Sequence, residues 1–212
     1  MKPPRAAKDT AFDAPHDSYQ GRLLIAMPGL SAPPFDHSVI YLCQHDAEHA
    51  MGLILNQPIR GLRLERILKE LGLKNEEKAV GGVQVFNGGP VQSDRGFVLH
   101  SLDYQLNDIT VDLGGPSIRT RNGAKRGLGL TISRDILLDM AGGAGPEHAL
   151  IALGYAGWGP GQLEDEIAQN AWLVAPASQA LIFMDDPEQL WTAAVTSLGV
   201  TPGHLSGAAG NA

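Results

Sequence analysis

The chain is poor in cysteine. Its 212 residues include a single one, Cys43, so no disulfide can form within it and a disulfide-stapled scaffold is excluded. A lone thiol suits a reducing compartment. Charge is also sparse, at 18% against 43% hydrophobic residues, a balance that excludes disorder and predicts a packed core. Of the two signs, basic is the scarcer, and the net charge of −7 argues against a nucleic-acid footprint, which needs clustered Lys and Arg. The one basic cluster, Arg119, Arg121, Lys125 and Arg126, reads as a solvated loop. No apolar run approaches the ~20 residues that cross a bilayer. Lys2, Pro3, Pro4, Arg5, Lys8, Asp9, Asp13 and Asp17 interrupt any stretch resembling a signal peptide. A soluble, cytoplasmic protein without a membrane partner is the expectation.

Complete catalytic signatures are missing as well. There is no nucleophile elbow, no Walker lysine, no dinucleotide fingerprint and no protease signature around the thiol. No helix-turn-helix pattern is found.

What the chain has in quantity is turn-forming residues, 26 Gly and 14 Pro, between short apolar runs. Residues 1–18 read as a flexible tail and 207–212 as a frayed end, leaving 19–206 as one compact domain, with two lobes as a variant. Strands are predicted at 22–27, 38–45, 50–56, 83–86, 96–100, 108–113, 128–133, 148–155, 172–174 and 180–184. Leu62, Leu64, Ile67, Leu68 and Leu71 recur at helical spacing before Gly72. Ser133 is placed to cap a helix through Met140, another spans about 162–170, and Pro187 opens the last one. Most connections are too short for parallel crossovers. The fold class is therefore α+β, with a mainly antiparallel sheet or barrel-like core and flanking helices.

The only hint of reactive chemistry lies in the Ser38–His45 run. Strand alternation puts Val39, Tyr41, Cys43 and His45 on one face. If His45 pairs with Ala50, Cys43 falls opposite Gly52, whose missing Cβ would leave space beside the thiol. An imidazolium nearby would favour thiolate. The competing reading, a small apolar core cysteine beside a sheet-edge histidine, is the favoured one. Cys43, His45 and His49, with Asp46 and Glu48 between them, have ligand chemistry but not zinc geometry, and the last three fit a solvated turn. No metal or cofactor is predicted. Weaker interaction candidates are Arg95, able to grip a carboxylate but more simply paired with Asp94; Trp158, in a glycine-rich loop that would partly expose it; and Glu164. Together with Asp165 and Glu166, Glu164 complements a helix N-terminus that would otherwise suit an anion.

Several stretches resemble the YqgE/AlgH family of small bacterial proteins. They include Leu24–Pro28, Tyr41–His45, Met51–Pro58, Gly88–Val91, Asp94–His100, Ser133–Asp135, Leu153–Ala156 with Trp158, Gly161–Glu164, and Asn170–Leu173. Their order and spacing agree over about residues 20–205. The resemblance implies a compact, β-rich mixed α/β protein of the cytosol whose biochemical activity is not established. One branch carries a label as a transcriptional regulator of alginate genes. The family's cysteine and following histidine fall on Cys43 and His45. Gln44 stands where an acid is common and His49 where glycine is often found, which weakens metal chemistry further. The expectation leans away from an enzyme. It favours a regulatory or interaction protein acting through a protein partner or small molecule, without direct DNA contact. The alternative is a thiol-based redox sensor or enzyme using Cys43 with His45.

Overall fold

The computed structural model describes residues 18–30, 33–72 and 82–205. Residues 1–17 of the tail assigned to 1–18, most of the 74–82 loop and the end at 207–212 lie outside them. Strands β1 (Arg22–Ala26), β2 (Val39–His45) and β3 (Ala50–Ile54) come first. Strand β4 (Pro58–Arg63), helix α1 (Leu64–Glu70) and strand β5 (Gln84–Asn87) follow. Next come β6 (Val91–Ser101), β7 (Val111–Arg119), β8 (Lys125–Thr131) and helix α2 (Arg134–Ala141). The last third is β9 (Ala149–Trp158), α3 (Gln162–Ala168), β10 (Trp172–Pro176), α4 (Gln179–Ile182) and α5 (Pro187–Ser197).

The strands pair in the order β10-β1-β2-β3-β9-β6-β8-β7, with β4 and β5 attached beside β9. Every pairing is antiparallel except β5 with β9. The fold is α+β as expected, but the sheet stays open, so it is not a barrel.

Alternation along the strands divides the apolar residues between two faces. Leu23, Ile25, Val39, Tyr41, Cys43 and Leu53 pack with Leu190, Trp191, Ala194 and Val195 of α5. Leu24, Ala26, Ile40, Leu42, Ala50 and Ile54 pack on the other side with Trp158, Trp172 and Leu163 of α3. A third cluster joins Leu64 and Leu68 of α1, Ile136 and Leu137 of α2, and Val98 and Ile151 of the sheet.

The starts of α2 and α5 and the end of α1 follow the capping rules. Ser133 accepts the Asp135 amide and Asp186 the Glu188 amide, with Pro187 in the first turn of α5. Gly72, at φ +69°, ends α1. Several segments differ from expectation. Strand β4 has no counterpart among the predicted strands, β6 starts at Val91 within residues read as loop, and β7 covers Val111–Arg119 and not 108–113. The run 180–184, read as strand, instead places residues 180–182 in α4, where Ser178 caps the helix by accepting the Leu181 amide. Ala156–Trp158, read as loop from its glycines, is the end of β9, where Ala156, Gly157 and Trp158 pair with Gly52, Met51 and Ala50. Glycine is required at Gly89 and Gly154, which sit at positive φ and cross so closely that a Cβ on either would collide with backbone of the other segment.

Candidate functional site

Cys43 is the residue that a β-bulge displaces. His45 pairs with Ala50 and Gln44 with Met51, but the register then shifts and Leu42, not Cys43, lies opposite Gly52. One extra residue in a strand reverses the face on which the following side chains emerge. Cys43 therefore joins Val39 and Tyr41 in the α5-side core. His45 emerges with Ala50 on the α3 side. The shared face and the opposing glycine, both expected from uninterrupted alternation, are corrected by this bulge. Nor is there space at Gly52, where an added Cβ would meet the Ile40 side chain and the Tyr41 carbonyl.

The thiol is sealed. Cys43 is 2% exposed, and its Sγ lies 3.7 Å from the Tyr41 carbonyl, to which it donates. Burial pushes its pKa up to about 12, only partly offset by the Leu53 amide. That opposes the thiolate that reactive chemistry needs.

His45 has a different partner, one that sequence distance hides. Its Nε2 is 2.7 Å from Glu164 Oε1, on α3, 119 positions along the chain. Nδ1 accepts the Tyr19 backbone amide at 3.0 Å. An acceptor role at Nδ1 fixes the tautomer, so Nε2 carries the proton and donates it to the carboxylate. The Ser18 hydroxyl donates to the His45 carbonyl at 2.9 Å, and the Tyr19 ring lies 5.3 Å from the imidazole. The imidazole side chain is 4% exposed and the carboxylate 42%, so the pair forms the wall of a shallow cleft shared with Asp46 and Asp165. It ties the chain entering β1, the end of β2 and the first turn of α3 together.

The turn between β2 and β3 holds no ligand set. Asp46 Oδ1 accepts the Glu48 and His49 amides, which lowers its pKa, and His49 packs against the same carboxylate. Among the described residues no three His, Cys, Asp or Glu side chains gather around a common point.

Trp158 is buried at 6%, not half-open, because it belongs to a strand. Its indole N–H and that of Trp172 both donate to Glu166 Oε2, at 2.9 and 2.8 Å, while Gln162 holds Oε1. From its place in the chain Glu166 reads chiefly as a complement to the helix dipole. No spacing rule signals a carboxylate shared by tryptophans eight residues before and six after it. Arg95 donates to Gln92 at 3.1 Å, not to Asp94, and its guanidinium lies 5.8 Å from the centre of the Phe97 ring.

His100 is a further buried titratable group. Nδ1 donates to the Ser101 carbonyl at 3.0 Å, leaving Nε2 to accept from Thr131, whose hydroxyl oxygen also meets Thr110. Burial lowers its pKa, with the Ser101 carbonyl and Asp103 opposing.

Apart from Ser18 and Tyr19, these residues lie within a stretch that matches a known family. The family described as AlgH-like matches residues 23–203. The chain belongs to the AlgH-like family. A UPF0301 protein of Caulobacter vibrioides is 45% identical over 193 residues, covering 91% of this chain and 93% of that protein. One from Thioalkalivibrio sulfidiphilus is 46% identical over 195 residues, covering 92% and 97%. The solution structure of the AlgH protein from Pseudomonas aeruginosa is similar at a TM-score of 0.71 and 40% identity, covering 94% of this chain and 98% of that one. A crystal structure of a Corynebacterium diphtheriae protein, at a TM-score of 0.56 and 21% identity, shares the fold. Among the described residues no helix is long and apolar enough to cross a membrane.

Proposed function

We propose that the chain is a cytoplasmic regulatory or interaction protein that acts by binding a protein partner or small molecule, without thiol chemistry. The observation that carries this reading is the separation of the two residues most suited to chemistry. Cys43 is buried on one face, and His45 on the other has both ring nitrogens bonded within the protein. A general base needs a free nitrogen within reach of a substrate proton, and a nucleophilic thiol needs access and a nearby cation. Neither requirement is met. The redox alternative loses the imidazole contact on which it rested.

The reading includes no direct DNA contact, in keeping with the net charge of −7. The test is a broad substrate screen on the purified protein alongside H45Q and C43A. The expected result is no turnover that these substitutions abolish. Turnover lost in either variant would overturn the reading.

A further inference from the structure

We propose that His148 is a pH-operated latch: neutral, it holds the Gln179 side chain across the outer edge of β7, and protonated, it releases that edge. Such a latch is independent of the binding reading above. Three elements meet at the junction. Arg119 ends β7, His148 leads into β9, and Gln179 opens α4. Strand β7 is last in the sheet order, so among the described residues no strand pairs with its outer backbone groups. At Arg119 the Gln179 side chain stands in for one. Its Oε1 accepts the Arg119 amide at 2.8 Å, and its Nε2 donates to the Arg119 carbonyl at 3.2 Å.

The second N–H of the Gln179 amide meets His148 Nε2 at 3.0 Å. That amide cannot be turned round, because its oxygen is the acceptor for the Arg119 N–H. His148 Nε2 must therefore accept, which leaves the neutral ring with its proton on Nδ1. Stacking on Phe183, at 5.3 Å and 27° between the ring planes, holds the imidazole in place. Protonation puts a hydrogen on Nε2, facing the Gln179 NH2. Two donors then oppose each other, and the Arg119 carbonyl, 3.3 Å from Nε2, takes the charge-assisted bond in place of Gln179. The charged groups around the junction are Arg119, Arg121 and Lys125 on the hairpin side, with Glu147 and Asp103 on the side leading into β9. Strand β6 presents the Ser101 hydroxyl to His148, and α4 brings no charge. The hairpin itself stays attached through the pairing of β8 with β6 and through the Arg121 amide, which donates to Glu147. What opens is the backbone edge at Arg119.

The experiment reads hydrogen exchange at the Arg119 amide by NMR, corrected for the intrinsic effect of pH, in the full chain, H148F and Q179E at pH 7.5 and 5. Imidazoles change charge within that span. In the native chain the protection of Arg119 is expected to fall roughly fivefold at pH 5, the loss of one ordinary hydrogen bond. Nitrogen-15 shifts of the ring should place the neutral proton on Nδ1. H148F keeps an aromatic ring beside Phe183 but has no nitrogen to protonate, so its Arg119 protection should be equal at both pH values. In Q179E the carboxylate accepts from both the Arg119 amide and the protonated ring, and the fall should vanish there too. H148F retains His100, so a fall that survives in it arises elsewhere and overturns the proposal. Equal protection of the native chain at both pH values, or a neutral ring protonated on Nε2, would overturn it as well. Should H148F fail to fold, the native chain and Q179E still decide.

Discussion

Cys43 and His45 are two residues apart on one strand, yet the bulge between Leu42 and Gln44 turns them to opposite faces of the sheet. The thiol is left without a histidine and the histidine is left free to bond a helix. Each then serves the fold: Cys43 fills the core under α5, and His45 fastens α3 and the incoming chain to the end of β2.

The His45–Glu164 pair is expected to be coupled. H45A should cost about 2 kcal/mol, the value of a hydrogen bond to a charged group. The half-exposed carboxylate is screened, so E164Q should cost less and the coupling energy should be about 1 kcal/mol in a double-mutant cycle read by urea denaturation. Nitrogen-15 NMR of the ring should show the proton on Nε2. Additive substitutions, or a proton on Nδ1, would contradict the arrangement.

Glu166 holds two indoles, and E166A leaves both buried N–H groups without an acceptor. At roughly 1–3 kcal/mol for each unsatisfied buried group, a loss of about 2–6 kcal/mol is expected, with a changed tryptophan emission spectrum. E166Q keeps an acceptor and should lose less than half as much. A neutral E166A would show that the indoles find other partners.

His100 predicts an acid dependence. Its pKa is lowered in the folded state, so below the unfolded value of about 6.5 the unfolded chain takes up a proton that the native one resists. Stability is therefore complete above that pH and declines as pH falls through it. H100Q removes this titration. Unfolding curves from pH 7.5 to 5 should be flatter for H100Q than for the parent, whatever the absolute loss, and equal slopes would rule the assignment out.

Much of the fold was legible because its signals are local. Ser133, Pro187 and Gly72 mark helix ends through backbone chemistry that acts within a few residues, and the paired strand 38–45 with its turn at Asp46–His49 follows from alternation and turn residues. The site was less legible because its determinants are not local. A bulge at Cys43 inserts one residue without any marking glycine, and alternation carried past it puts His45 on the wrong face. Glu164 was visible as a helix-dipole acid, but its partner is 119 positions away. The glycines at 157 and 159 signalled a loop where close strand pairing continues the sheet to Trp158. Ser178 capping outweighed the apolar run of α4 in the same way, a local device misread because the run beside it was louder.

The most direct test of the account is the rate at which a small aromatic disulfide reagent labels Cys43 in the native chain at pH 8, compared with the chain in denaturant. Burial and a pKa raised to about 12 leave little thiolate at that pH, so native labelling should be at least about a hundredfold slower and unchanged in H45Q. Native labelling as fast as in the unfolded chain, or slowed by H45Q, would mean that thiol and imidazole meet and would contradict the account.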